Sequence, residues 1–293
     1  MSIKFRSFSP VVYAGGRDKS NFIAPPYDII NGVLQKKLYR KDPLNVIRLI
    51  LGNKYPADSA RRNSCTRAAD FFNKWTAEKN IIRGGKGVFV LKQDFTLAGK
   101  RYSRTGVIVR LDWSACGRGG IIPHEKTYRK HRVGRNRLLK KLPLNFSPVF
   151  LITEGVSSRI KKAVLGAVKE AVYNVPGEKG VLFRALPSAS SGLLSFLGKQ
   201  KFVIADGHHR FRVSAENFDK DNSSKFLMVY ICDFSDEGCV VLSHTDRKSP
   251  FDKSLLREVL KTGKLMKQKS TFFWPKLPSG LLMHPVKELK DES

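Results

Sequence analysis

Phe202-Val203-Ile204-Ala205-Asp206-Gly207-His208-His209-Arg210 is the stretch that organises this sequence. Four apolar residues in a row read as a short, fully buried strand. The strand delivers Asp206 to its C-terminal end, and Gly207 removes a Cβ where backbone must approach a ligand. His208, His209 and Arg210 then open a helix that runs to about Phe218. Unpaired N–H groups and the helix dipole favour an anion there, and an arginine adds a planar fork for phosphate oxygens. The same residues also suit a plainer arrangement, with Asp206 as a helix cap and the two histidines as packing or surface groups. A shared metal is the weaker reading. Neighbouring helical side chains diverge by about 100°, so no metal-ligand set is expected at this pair.

Outward from this stretch, strands and helices alternate without a regular βαβ order. Strands are expected at 3–13, 45–50, 88–95, 102–111, 121–122, 181–186 and 202–205. The segment 145–153, with Pro148 inside it, is expected to be an edge or late-starting strand. Residues 226–233 and 238–242 read as a hairpin. Helices are expected at 58–79, 127–142, 157–173 (capped by Ser157) and 188–197. The sum is an α+β fold with a mixed β-sheet and flanking helices. The parts are expected to be an N-terminal α/β part at 1–112, a catalytic core at 113–250 and a short extension at 251–293.

The chain has 293 residues and is 41% apolar, with 19 Phe, enough to bury a core. This excludes disordered and low-complexity classes. Four scattered cysteines without a CxxC pair argue against a disulfide scaffold or a zinc knuckle. No apolar h-region opens the chain and no run reaches the roughly 20 apolar residues of a membrane helix, so the cytoplasm is the expected compartment. Lys and Arg total 54 against 25 Asp and Glu, a net charge of +29. Such a surface attracts polyanions such as nucleic acid, nucleotides, pyrophosphate or acidic lipid; it equally suits a solvated basic surface with no specific partner. Eight of these cations fall within Lys126–Lys141. That helix reads as docked with a solvated basic face, as a free nucleic-acid or calmodulin-like element, or as a source of cations lining a polyphosphate site beside Glu125.

Just before it, Pro123-His124-Glu125-Lys126-Thr127 follows a Gly-rich loop and a short strand. A carboxylate placed there among cations suits a general base toward an alcohol; it also suits a helix N-terminus. No P-loop, kinase catalytic-loop set, GxSxG or HExxH occurs.

The pair of boxes, Pro123-His124-Glu125 and Asp206-Gly207-His208-His209-Arg210, resembles the ParB/sulfiredoxin-like superfamily, particularly its free L-serine kinases. Around them the chain resembles a bacterial and archaeal group, domain-of-unknown-function family 1015. Ala24-Pro25-Pro26-Tyr27-Asp28, Asn45-Val46-Ile47-Arg48-Leu49 and Asn145-Phe146-Ser147-Pro148-Val149-Phe150 carry that likeness together with the two boxes.

The resemblance implies a ParB/sulfiredoxin-like core and a phosphotransferase making O-phospho-L-serine from L-serine. The donor would be ATP, ADP or pyrophosphate, with Mg²⁺. It implies Glu125 as general base and Asp206 as a second catalytic carboxylate. Gly207, His208, His209 and Arg210 would bind phosphate, with His124 beside them. Arg135, Asn145 and Lys126 are candidate substrate-binding positions. The sequence departs from the pattern at Arg212, where a carboxylate is usual, at Gly134, and in a degraded block at 242–247. The rival readings are a ParB-like nucleic-acid-binding protein and a diverged, inactive phosphate or nucleotide sensor.

Overall fold

A computed structural model describes residues 3–116, 118–123, 129–243, 271–274 and 277–287. His124, Glu125 and Lys126 lie outside the described residues, as does 244–270.

The N-terminal part gives strands β1 (Ile3–Arg6) and β2 (Val11–Tyr13), then helices α1 (Gly32–Lys41), α2 (Ile47–Ile50) and α3 (Ser64–Ala77). The strand expected at 45–50 is helical because Asn45 turns the chain. Its Oδ1 accepts from Ile47 N (3.0 Å), and its Nδ2 donates to the carbonyls of Asn21 and Ile23. Asn63 starts α3 with a capping box shared with Thr66. Next come β3 (Ile81–Arg83), β4 (Val88–Leu97), β5 (Lys100–Cys116), β6 (Ile121–Ile122) and the basic helix α4 (Arg129–Lys141).

β7 (Leu144–Asn145) and β8 (Val149–Thr153) follow. Of the two forms expected for 145–153, the late start is the one observed: β8 begins after Pro148 and is interior rather than an edge. It lies between two other strands, and Pro148 precedes it, so the missing N–H removes no ladder bond. The helix expected over 157–173 is short: α5 (Ser157–Val164) stops before Gly166, whose φ is +76°, and the chain leaves as β9 (Val168–Val175). Ser157 does not cap α5. Asp233 Oδ2 instead accepts from Val156 N (2.7 Å) and Ser157 N (2.8 Å). β10 (Glu178–Ala185), α6 (Pro187–Leu197), β11 (Phe202–Asp206), α7 (His208–Asp221) and β12 (Phe226–Asp233) complete the main body. β13 (Val240–Ser243), β14 (Thr271–Trp274) and β15 (His284–Pro285) close it.

A nine-stranded mixed sheet runs β6-β11-β8-β12-β5-β4-β10-β9, with β1 also paired to β5. Among the described strand pairs of this sheet, only β6/β11 and β8/β12 are parallel. The sheet therefore takes strands from both sides of residue 112. The expected hairpin of 226–242 does not form: β12 pairs with β5 and β8, while β13 pairs with β14.

Strand periodicity explains why both faces are dry. Phe89, Leu91, Ile108, Phe150, Met228 and Tyr230 pack on one face. Val88, Val90, Val107, Val109, Val149 and Val229 pack on the other. A satellite cluster around Val46, Ile47, Trp75, Leu138 and Phe146 joins the N-terminal helices to α4.

Residues 277–287 thread back across this satellite. Ser279 exchanges backbone hydrogen bonds with Ala24 (2.8 and 3.2 Å), and Gly280 N donates to Phe146 O (2.7 Å). Met283 pairs with Val11, and β15 pairs with β7. Gly280 has φ +86°, and a Cβ there would stand 2.7 Å from Val46 Cβ, so this crossing requires glycine.

Candidate anion-binding site

β6 and β11 run side by side in the same direction, with Ile121 against Phe202 and Ile122 against Val203. The strand leading to Pro123 and the strand leading to Asp206 thus point to one end of the sheet. At that end Gly207, at φ +93°, turns the chain from β11 into α7. A Cβ on Gly207 would also meet Arg210 Nη2 at 2.9 Å. The left-handed backbone favours glycine here, and any side chain at this position would have to displace the Arg210 guanidinium.

Arg210 folds back over this turn. Its Nη2 donates to Asp206 Oδ2 (2.8 Å), and its Nη1 donates to Ser147 Oγ (2.5 Å) and Pro148 O (2.7 Å). Asp206 and Arg210 side chains are only 18% and 16% exposed. The guanidinium therefore ties the end of β11 to the loop entering β8, which positions it as well as charging the site. His208 is buried beneath the first turn of α7, and His209 is half-buried beside it.

Arg135 arrives from α4. Its guanidinium lies over the Tyr27 ring, 3.1 Å from the centroid. Desolvation lowers its pKa to about 10; Arg210 pulls the same way, while Tyr27 and Asp28 oppose the shift. Arg135, Arg210, Tyr27, Ser147 and Asn145 all line one cavity of about 50 Å³. Asn145 is also a fastener, its Nδ2 donating to Phe226 O (3.4 Å) and His284 O (3.3 Å). Three further hydroxyl-bearing residues, Ser214, Ser224 and Ser279, complete the polar lining. Trp113 Nε1 donates to Ser214 Oγ (2.8 Å), which in turn bonds Ser224 Oγ (2.8 Å).

α4 is docked rather than free. Arg132 and Arg212 both bond Glu216 of α7 (2.5 and 2.9 Å), and Asn217 Nδ2 donates to Asn136 Oδ1 (3.0 Å). The cation at 212 thus has a local partner four residues on.

The sequence-predicted residues divide as follows. Asp206, Gly207, His208, His209 and Arg210 form the β11–α7 turn, and of these Arg210 lines the cavity, together with Arg135 and Asn145; Asp206, Gly207, His208 and His209 are not part of its lining. His124, Glu125 and Lys126 lie outside the described residues. Tyr27 and Ser147 were not singled out as site residues. Their signal was position inside two of the resembling blocks, Ala24–Asp28 and Asn145–Phe150, which the fold brings to one place. Among the described residues, no three His, Cys, Asp or Glu side chains gather as metal ligands. No described helix is long and apolar enough to cross a membrane.

The model of a family described as "Protein of unknown function (DUF1015)" matches residues 5–247. No curated protein matches the chain, and no solved structure does.

Proposed function

The chain belongs to the DUF1015 family, and on that premise we propose that it is a phosphotransferase acting on a small alcohol, with L-serine the leading acceptor and O-phospho-L-serine the product. The observation that supports this most is the parallel pairing of β6 with β11. It brings the Pro123 strand and the Asp206 strand to one end of the sheet, where Arg210 of the following turn lines a cavity together with Arg135. Glu125 follows Pro123 by two residues, a reach of at most about 7 Å of chain.

In this reading Glu125 takes the proton from the serine hydroxyl as its oxygen attacks the terminal phosphorus of ATP, ADP or pyrophosphate. The bond from that phosphorus to its bridging oxygen breaks, and the remaining nucleotide or phosphate leaves. Arg210, fixed by Asp206, Ser147 and Pro148, holds phosphate oxygens, together with the N–H groups that open α7. Such chemistry asks mainly for positioning and charge neutralisation. Mg²⁺ suits this donor set only if phosphates and water supply most ligands, because Asp206 is the one described carboxylate at the turn and its Oδ2 is bonded to Arg210. Bound so, the ion would neutralise charge on the transferring group. A ParB/sulfiredoxin-like core belongs to the same proposal.

The test is purified protein with L-serine, Mg²⁺ and each donor in turn, assayed for O-phosphoserine. Glu125→Gln is expected to cut turnover by about 100-fold or more while the protein stays folded. Absence of product with every donor, or wild-type turnover in the variant, overturns the assignment. A DNA oligomer in a parallel thermal-shift panel addresses the nucleic-acid rival.

A further inference from the structure

Two guanidinium groups share the cavity, yet their surroundings differ. Arg210 has a carboxylate, a hydroxyl and a carbonyl within hydrogen-bond distance. Arg135 has the face and hydroxyl of Tyr27, and the exposed Asp28 carboxylate acts on it electrostatically. We propose that Arg135, stacked on Tyr27, is the second arm of a site that clamps a small phosphate-type anion between it and Arg210, with the Ser147 hydroxyl as a neutral partner. The inference rests on the proposed reading of the Asp206–Arg210 turn and adds to it a residue from a different helix.

Three features support the assignment. First, desolvation and the nearby Arg210 charge both work against the Arg135 cation, and an anion between the two relieves both penalties at once. Second, Tyr27 holds the planar group from one side, so its fork is oriented before a ligand arrives. Third, a cavity of about 50 Å³ has space for roughly three to five waters at ~10–15 Å³ each. That is the scale of one phosphate group. A nucleoside, which needs a pocket of some hundreds of Å³, would stay at the mouth.

Calorimetric titration with inorganic phosphate and with pyrophosphate tests this on wild type, Arg135→Gln and Arg135→Lys. Wild type is expected to bind pyrophosphate, and Arg135→Gln to lose about tenfold or more in affinity, as befits a lost charge-assisted pair. Its ligand-free Tm is expected to hold or rise, because a desolvated cation beside another cation has been removed. A purely structural arginine predicts the opposite, a lower Tm with affinity intact. Arg135→Lys keeps the charge without the fork and should fall between. If Arg135→Gln does not fold, the lysine variant decides alone: unchanged affinity overturns the proposal. Wild type that binds neither anion also overturns it. The phosphotransferase assay separates the two claims. Anion binding without O-phosphoserine removes the kinase reading and leaves the clamp, whereas turnover with unaltered donor affinity in Arg135→Gln removes the clamp and leaves the kinase.

Discussion

His284 gives the sharpest stability prediction. It is 2% exposed, edge-on to Phe8 (4.6 Å between ring centroids) and to Phe226 (6.1 Å). Burial lowers its pKa from 6.5 to about 3, Arg110 adds to the shift, and the carbonyls of His284 and Pro285 oppose it. The unfolded chain takes up a proton near pH 6.5, whereas the native chain refuses it until far lower. Stability is therefore lost as pH falls below 6.5. Between pH 7 and pH 5 the linkage amounts to about 2 kcal/mol. The perturbation is His284→Phe, which keeps a ring in an apolar slot. Urea denaturation of both proteins at pH 7, 6 and 5 supplies the free energies. Wild type should lose about 2 kcal/mol more than the variant across that range. Asp112 and Asp233 do not interfere: their pKa values are lowered, so their contribution disappears only in the ordinary carboxylate range and below. Half-buried Glu178, raised mainly by desolvation, changes in the opposite sense, gaining relative stability on acidification, and does so in both proteins. Parallel pH profiles for the two proteins would refute the argument.

Two further substitutions test the architecture. Gly207→Ala should cost about 1–2 kcal/mol in denaturant titrations, from the left-handed backbone at φ +93°, and weaken pyrophosphate binding by crowding Arg210. Asp233→Ala leaves the N–H groups of Val156 and Ser157 at the start of α5 without their acceptor, and should lower stability by about 1–3 kcal/mol; an unchanged denaturation midpoint would show that water replaces the carboxylate without loss.

The elements that could be read from the sequence were those whose pattern is local. β4 and β5 are rich in β-branched and aromatic residues on either side of a Gly99 turn, and Phe202–Ala205 has no solvent-facing residue, so strand and following helix were both legible. Misreadings arose where a long-range partner or one glycine decides. Val168 and Val172 fit a helical face with Ile160 and Val164, but the positive φ at Gly166 ends that face, and burial then alternates, with Ala171 and Tyr173 inside. Val46–Ile50 is apolar enough for a strand, yet the Asn45 side chain bends it into a helix buried against α3. At the site, the Asp206–Arg210 turn was legible because glycine, acid and fork are contiguous. Nothing local shows that Arg210 reaches Ser147 or that Tyr27 lies under Arg135, because those contacts join residues 63 and 108 positions apart.

The crossing segment at 277–287 has a consequence for synthesis. A ribosome delivers Tyr27, Asn145 and Arg210 well before Ser279, and emerging domains begin to fold from their N-terminal end. The nascent chain therefore holds the cavity unfinished, its Ala24 and Phe146 carbonyls still bonded to water, until the stretch that caps them is translated. The cavity gains its Ser279 side only once residues 277–287 have been translated, and a product cut short before residue 277 would carry every motif of the site and still lack one of its sides.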